Sequence, residues 1–170
     1  MNAKELRQMV DGTNEKLRVL FRKQRQMRLY RRRGVIIVVD DCFEHGDLLR
    51  HLLDSVGVDL NVITVSTVVE AKQVVAEHKP DGVRIMIIDI GLSGDGQPDG
   101  LDLIKWIRSE NLGIPFVVST GKIDRVDEVK KLVPGVDVFV KGTASLADYL
   151  DAIGLDVDSG GTVPSDDELD

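Results

Sequence analysis

Short apolar runs alternate with amphipathic stretches along the middle of the chain. The apolar runs predict five strands, at 35–39, 61–65, 85–88, 115–119 and 136–140. Apolar residues recurring at helical spacing predict helices near 45–56, 67–78, 100–110, 124–133 and 144–153. Because parallel strands need crossover connections, which are usually helices, this alternation predicts a parallel sheet covered by helices on both faces.

The first 33 residues follow a different pattern. They contain no proline and one glycine, and certain positions recur at alternating steps of four and three residues. These positions are Leu6, Val10, Thr13, Leu17, Leu20, Gln24 and Met27. Such a heptad seam predicts an added N-terminal helix, which either forms a coiled coil in a homodimer or docks on a partner.

The net charge of −7 is divided unevenly along the chain. Residues 1–33 carry eleven Lys and Arg against three acids, whereas residues 34–153 carry eleven against twenty. Residues 154–170 carry six acids and no base, with few apolar groups, which predicts an acidic disordered tail. We therefore expect a basic helical segment at 1–33, a folded domain at 34–153 and the tail. A charge run alone is weak evidence, so we do not expect nucleic acid as a partner.

The composition is that of a globular protein without a membrane span. No apolar run approaches the length that a bilayer requires, and the amino terminus lacks the apolar stretch of a signal peptide. The one cysteine, Cys42, cannot form an intrachain disulfide, which fits a reducing compartment. The sequence therefore predicts a cytoplasmic location.

Polar side chains suited to binding metals and anions follow four of the predicted strands. They are Asp40 and Asp41 after the first, Asp89 after the third, Ser119 and Thr120 at the end of the fourth, and Lys141 after the fifth. Since ligands of such sheets bind beyond the carboxyl ends of the strands, these side chains are expected to face one crevice. Three carboxylates together imply a hard divalent cation, and Mg²⁺ is the best candidate. The Thr120 hydroxyl and the Lys141 ammonium would receive a tetrahedral anion.

Over residues 34–153 this set resembles the receiver domain of two-component response regulators. In that family a pair of acids follows the first strand, a phosphoacceptor aspartate the third, a hydroxyl residue the fourth and a lysine the fifth. The matching residues are Asp40 and Asp41, Asp89, Thr120 and Lys141. Each of these residue types is common at the end of a strand, whereas the whole set, in this order and on these strands, is specific to the receiver pattern. The resemblance implies an α/β fold with a flavodoxin-like, doubly wound sheet of five parallel strands.

The resemblance also implies the chemistry and the partners. Asp89 would accept a phosphoryl group from a phosphohistidine on a sensor histidine kinase or a phosphotransfer protein. Mg²⁺ would be held by Asp41 and Asp89 directly, by Asp40 through water and by the backbone carbonyl of Gly91. Lys141 would stabilise a phosphoryl oxygen, and Thr120 would move towards the phosphoryl group and reshape the face of the fourth helix and fifth strand. We expect no enzyme activity beyond the protein's own phosphorylation and dephosphorylation, and output through protein contacts or the N-terminal helix.

Three features depart from the family pattern. Gly142 stands after Lys141 where the family usually has proline, so we expect a looser loop. Val138 occupies the usual position of an aromatic switch residue, and Phe139 beside it is expected to face the other side of the sheet. The loop around 93–98 is glycine-rich and longer than usual, which could alter partner choice or the rate of dephosphorylation.

Two other functions are alternatives to the receiver. A haloacid-dehalogenase-like phosphohydrolase also uses an aspartate after the first strand with Mg²⁺, but it needs the pattern D-x-D, whereas Asp40 and Asp41 are adjacent. A receiver-like module that works without phosphorylation is the second alternative, motivated by Gly142 and Val138. The three histidines lack the spacing of metal ligands, and all are expected to face solvent: His45, His51 and His78.

Overall fold

A computed structural model describes residues 34–55, 57–92 and 98–155. The predicted N-terminal helix with its coiled coil, most of the long loop after the third strand and the tail beyond residue 155 lie outside the described residues. The strands are β1 Val35–Val39, β2 Val62–Val65, β3 Val83–Ile88, β4 Phe116–Thr120 and β5 Val138–Val140. The helices are α1 Phe43–Ser55, α2 Val68–His78, α3 Gly100–Ser109, α4 Val126–Leu132 and α5 Leu146–Ala152.

The five strands form one parallel sheet in the order β2-β1-β3-β4-β5. This order reverses direction between β1 and β3, which is the switch point of a doubly wound, flavodoxin-like sheet. The predicted fold class is therefore confirmed. All five predicted strands and all five predicted helices are present, with ends that differ by a few residues.

The core lies in two layers, one on each face of the sheet. Successive residues of β1 alternate between them, so that Ile37 packs with α2, α3 and α4 while Ile36 packs with α1 and α5. Every side chain of β1 is buried. Full burial of each such aliphatic side chain contributes about 1.5–3 kcal/mol, which is why an uninterrupted apolar run forms a central strand.

Capping boxes set the starts of three helices. In each, the side chain of the capping residue accepts a backbone N–H from the first turn, and an acidic side chain three residues later accepts the backbone N–H of the capping residue. The capping residues are Thr67 for α2, Asp99 for α3 and Ser145 for α5. The fourth helix begins two residues later than expected because a short 3₁₀ turn, Ile123–Arg125, precedes it.

The packed body continues past the predicted boundary at residue 153. The Gly154 N–H donates to the Asp151 carbonyl, and the Leu155 N–H donates to the Leu150 carbonyl at 2.8 Å. Leu155 is 9% exposed and belongs to the core layer of α1 and α5. No helix among the described residues is both long and apolar enough to cross a bilayer.

Candidate functional site

Strand pairing brings two of the predicted acids together. Asp40 directly follows β1 and Asp89 directly follows β3, and the two strands pair with Val39 opposite Ile88. The Asp89 N–H donates to the Val39 carbonyl at 2.9 Å, so the hydrogen-bond ladder continues one residue past the apolar strands. Both carboxylates therefore start from the same edge of the sheet at the same level.

The acidic cluster of Asp40, Asp41 and Asp89 lies at this edge. Each residue offers a carboxylate oxygen, and these oxygens lie within 4.8 Å of one another. Asp40 is 3% exposed and Asp89 is 5% exposed, whereas Asp41 faces solvent. Like charges this close and this buried repel one another and need positive partners.

Lys141 supplies one positive charge to the acidic cluster. Its Nζ lies 2.8 Å from Asp40 Oδ2 and 2.6 Å from Asp89 Oδ2. Burial by itself lowers the pKa of Lys141, but the hydrogen bonds to Asp40 and Asp89 outweigh it, so the net effect is a raised pKa. The ammonium is therefore charged at neutral pH and links the ends of β1, β3 and β5.

Further hydrogen bonds orient the two buried carboxylates. Asp40 Oδ1 accepts the Cys42 N–H at 3.0 Å, and Asp40 Oδ2 lies 2.8 Å from His45 Nδ1. Asp89 Oδ1 accepts the Gly91 N–H at 2.7 Å. Each oxygen of both carboxylates thus has at least one donor, which sets the planes of the two groups.

The donor set fits a hard divalent cation. Three carboxylates and one ammonium leave two net negative charges when His45 is neutral. A carboxylate oxygen accepts more than one contact, so the cluster retains lone pairs for a further positive partner. Oxygen donors with exposed Asp41 at the solvent side suit Mg²⁺, which keeps several of its waters.

Thr120 lies beside Lys141 at the end of β4. Thr120 is fully buried, and its carbonyl accepts the Lys141 N–H at 2.9 Å. Its hydroxyl oxygen accepts the Lys122 N–H at 2.9 Å. Because that contact uses the hydroxyl as an acceptor, the hydroxyl keeps its own O–H to donate to an anion.

The loop after Lys141 is closed by hydrogen bonds, contrary to the looser loop that Gly142 suggested. The Thr143 and Ala144 N–H groups both donate to the Val140 carbonyl, at 3.0 and 3.1 Å. Gly142 has φ +83°, a left-handed conformation that glycine adopts without strain. The glycine therefore serves a tight turn.

Several contacts around the site were not predicted from the sequence. His45 was expected to face solvent, and its side chain is 42% exposed, yet it also pairs with Asp40. Ser119 was placed with the polar strand ends, but its hydroxyl lies 2.6 Å from the Tyr149 hydroxyl, on the side of α5. His45 lies in the first turn of α1, five residues after Asp40, and this short separation in the sequence is the signal that could have indicated the contact.

The aromatic residue of β5 lies where strand alternation placed it. Phe139 packs in the core layer of α1 and α5, and Val138 packs in the opposite layer. The rings of Phe139 and Tyr149 have centroids 5.1 Å apart at an interplanar angle of 50°. Ser119, Tyr149 and Phe139 thus form a connected group between β4, β5 and α5.

The chain is similar to curated response regulators over part of their length. It is 33% identical over 105 residues to the DNA-binding response regulator MtrA of Mycobacterium tuberculosis, covering 62% of this chain and 42% of the relative. It is 32% identical over 119 residues to the transcriptional regulatory protein KdpE of the same species, covering 68% and 47%. The chain thus spans less than half the length of these relatives.

Solved structures show the same architecture. The receiver domain of NtrX from Brucella abortus matches with 28% identity and a TM-score of 0.53, over 68% of this chain and 90% of that one. A response regulator receiver domain protein from Clostridium thermocellum matches with 21% identity and a TM-score of 0.57, over 71% and 90%, which shows the fold alone. The family model of the response regulator receiver domain matches residues 36–153, well over half of the chain. The chain therefore belongs to the response regulator receiver domain family.

Proposed function

We propose that the chain is a phosphoacceptor in a two-component phosphorelay and that Asp89 takes the phosphoryl group. One observation carries this proposal: the Asp89 carboxylate is buried at a strand end and lies 2.6 Å from the Lys141 ammonium, beside Asp40 and Asp41. A buried carboxylate with a cation at one oxygen and two further acids at its side suits a nucleophile that works with a metal and a phosphoryl group.

The reaction transfers the phosphoryl group from nitrogen to oxygen. A carboxylate oxygen of Asp89 forms a bond to phosphorus while the phosphorus–nitrogen bond of the partner's phosphohistidine breaks, and the electron pair stays on the imidazole nitrogen. Lys141 stabilises negative charge on a phosphoryl oxygen, and the Thr120 hydroxyl donates to another. When bound, Mg²⁺ neutralises charge on the transferred group; Asp41, Asp89 and the Gly91 carbonyl would hold it, with Asp40 acting through water.

The partners follow from the family. A response regulator receives its phosphoryl group from a sensor histidine kinase or a phosphotransfer protein, and receivers are generally not enzymes in their own right. The signal would leave through protein contacts or through the N-terminal segment. The relative MtrA is a DNA-binding response regulator, and because this chain covers 42% of its length, DNA binding is stated of that relative alone.

The proposal is tested by labelling the purified protein with acetyl phosphate in the presence of Mg²⁺. We expect one phosphoryl group per chain, which alkali or hydroxylamine removes because an acyl phosphate is cleaved by both, and no labelling when EDTA replaces Mg²⁺. Asp89→Asn should abolish labelling, whereas Asp81→Asn, an exposed acid in the turn before β3, should leave it unchanged. Equal labelling of the Asp89→Asn variant and the parent would contradict the assignment.

A second candidate is a receiver-like module that acts without phosphorylation. It is favoured by Lys141, which already bridges Asp40 and Asp89, and by Val138 at the position of the usual aromatic switch. Beryllofluoride with Mg²⁺ discriminates between the two, because a phosphoacceptor should respond to it with changed amide spectra. No labelling and no response would support the second candidate. Turnover of a phosphate ester would instead support a dehalogenase-like hydrolase.

A further inference from the structure

Arg125 joins three segments around the phosphoacceptor loop. It ends the short 3₁₀ turn before α4, and its side chain is 30% exposed. Its Nη1 donates to the Ile90 carbonyl at 3.1 Å and to Asp99 Oδ2 at 2.6 Å. Its Nε donates to Glu128 Oε2 at 3.3 Å.

The Ile90 carbonyl belongs to the peptide unit that contacts Asp89. That unit runs from the carbonyl of Ile90 to the N–H of Gly91, and the same N–H donates to Asp89 Oδ1 at 2.7 Å. One rigid amide plane is therefore bonded at both ends, to the Arg125 guanidinium on one side and to the Asp89 carboxylate on the other. A charged donor on the carbonyl polarises the amide and strengthens its N–H as a donor.

Asp99 holds the guanidinium in place. Its Oδ1 caps α3 by accepting the Leu101 N–H at 2.9 Å, and its Oδ2 accepts from Arg125. The hydrogen bond with Asp99 raises the pKa of Arg125, which keeps the guanidinium charged. Arg125 Nη1 therefore joins the two ends of the loop that connects β3 to α3, one at Ile90 and the other at Asp99.

We propose that Arg125 is a positioning residue for phosphoryl transfer: it orients the Ile90–Gly91 peptide, whose N–H orients the Asp89 carboxylate. Lys141 holds Oδ2 of that carboxylate and the peptide holds Oδ1, so the carboxylate plane is set from both sides. Reaction rates are sensitive to such orientation, since misplacement of a reacting group by about 1 Å costs on the order of a hundredfold. This inference rests on the proposed function of Asp89.

The test compares Arg125→Gln with three further variants. Asp99→Asn keeps the helix cap, because asparagine caps as well as aspartate, but it loses the ion pair with Arg125. Glu128→Gln removes the weaker, exposed partner of Arg125 and leaves the contacts to Ile90 and Asp99. Lys105→Gln removes one positive charge from an exposed ion pair elsewhere on α3. The last two are matched controls.

Two measurements are made on each variant: the saturation kinetics of labelling by acetyl phosphate with Mg²⁺, and the amide resonance of Gly91 in the unlabelled protein. Here kcat is the rate constant of labelling at saturating acetyl phosphate, and KM is the acetyl phosphate concentration that gives half of that rate. We expect Arg125→Gln to lower kcat by roughly tenfold with little change in KM, because the substitution affects the orientation of Asp89 and not the binding of acetyl phosphate. The Gly91 amide proton should shift upfield as its hydrogen bond weakens. Asp99→Asn should change kcat and the Gly91 resonance in the same direction but by less. The controls Glu128→Gln and Lys105→Gln should match the parent in both measurements.

The outcomes separate this inference from the proposed function. A parent protein that acetyl phosphate does not label would refute the role of Asp89, whatever the Gly91 resonance does. A parent that is labelled, with an Arg125→Gln variant of equal kcat or an unmoved Gly91 resonance, would overturn the role of Arg125. If Arg125→Gln fails to fold, Asp99→Asn decides: normal kcat and an unmoved Gly91 resonance would overturn the inference as well.

Discussion

Replacing Lys141 by methionine should destabilise the fold measurably in the absence of metal. The substitution keeps most of the side-chain volume and removes the ammonium that contacts Asp40 Oδ2 at 2.8 Å and Asp89 Oδ2 at 2.6 Å. Both carboxylates are nearly buried, so they would lose their shared cation without gaining water. Removing one partner of a buried ion pair costs about 3–5 kcal/mol. Since Lys141 is 20% exposed, we expect the lower end, about 3 kcal/mol, or more than a hundredfold in the folding equilibrium.

The assay is urea unfolding followed by circular dichroism at pH 7, with EDTA or with Mg²⁺ in excess. A cation that binds only the folded state raises the free energy of unfolding, and it does so more when it binds more tightly. Because Lys141→Met offers Mg²⁺ a more negative site, Mg²⁺ should stabilise this variant more than it stabilises the parent. Lys105→Met is the control. Its ammonium lies 3.2 Å from Asp102 in an exposed pair, so its loss should change stability by no more than about 0.5 kcal/mol.

The pH dependence gives a second check on Lys141. Its pKa is raised in the folded protein above the reference value of 10.5. A group with a raised pKa contributes its stability fully below the unfolded pKa and loses it as the pH rises through the folded pKa. The difference between the parent and Lys141→Met should therefore be constant near neutral pH and shrink only above 10.5. Equal stability of Lys141→Met and Lys105→Met in EDTA would refute the reasoning.

Three further substitutions, one of them a control, test the packing and a hydrogen bond around the site. Gly100→Ala would place a Cβ 2.1 Å from the Asp89 carbonyl oxygen, so α3 must move away from β3; we expect a loss of about 1–3 kcal/mol in urea unfolding. Gly121→Ala, whose Cβ would meet nothing within 4 Å, should be close to neutral, and a similar loss for both would contradict this account. Tyr149→Phe removes the partner that lies 2.6 Å from the buried Ser119 hydroxyl, and it should cost about 1 kcal/mol in thermal or urea unfolding; an unchanged stability would show that this hydrogen bond makes no net contribution.

The order of elements and the identity of the acidic cluster were predictable from the sequence because both depend on local patterns. An apolar run such as that of β1 is buried on both faces, and an acid directly after it must lie at the edge of the sheet. Asp40 and Asp89 were assigned by that rule, and the parallel pairing of β1 with β3 brings them together. The pattern also placed Phe139 and Val138 on opposite faces, since successive residues of a strand always alternate.

The helix starts were less predictable because capping and 3₁₀ turns depend on individual side-chain contacts. Periodicity locates the apolar face of α4 but does not distinguish its first turn from the 3₁₀ turn Ile123–Arg125 that precedes it. The turn after Lys141 shows the same difficulty. Gly142 suggested a loose loop, whereas the hydrogen bonds to the Val140 carbonyl close it.

The sequence by itself determined the alternation of strands and helices, and with it the acids at the strand ends. The tertiary structure alone decided which side chains and carbonyls around those acids hydrogen-bond to one another. The hydroxyls of Ser119 and Tyr149 are 30 residues apart, Arg125 and the Ile90 carbonyl 35, and Lys141 and Asp89 52. Periodicity reports which face a residue occupies, but a hydrogen bond needs two atoms within about 3 Å in a suitable direction. That proximity is created only when strands and helices distant in the sequence pack against each other.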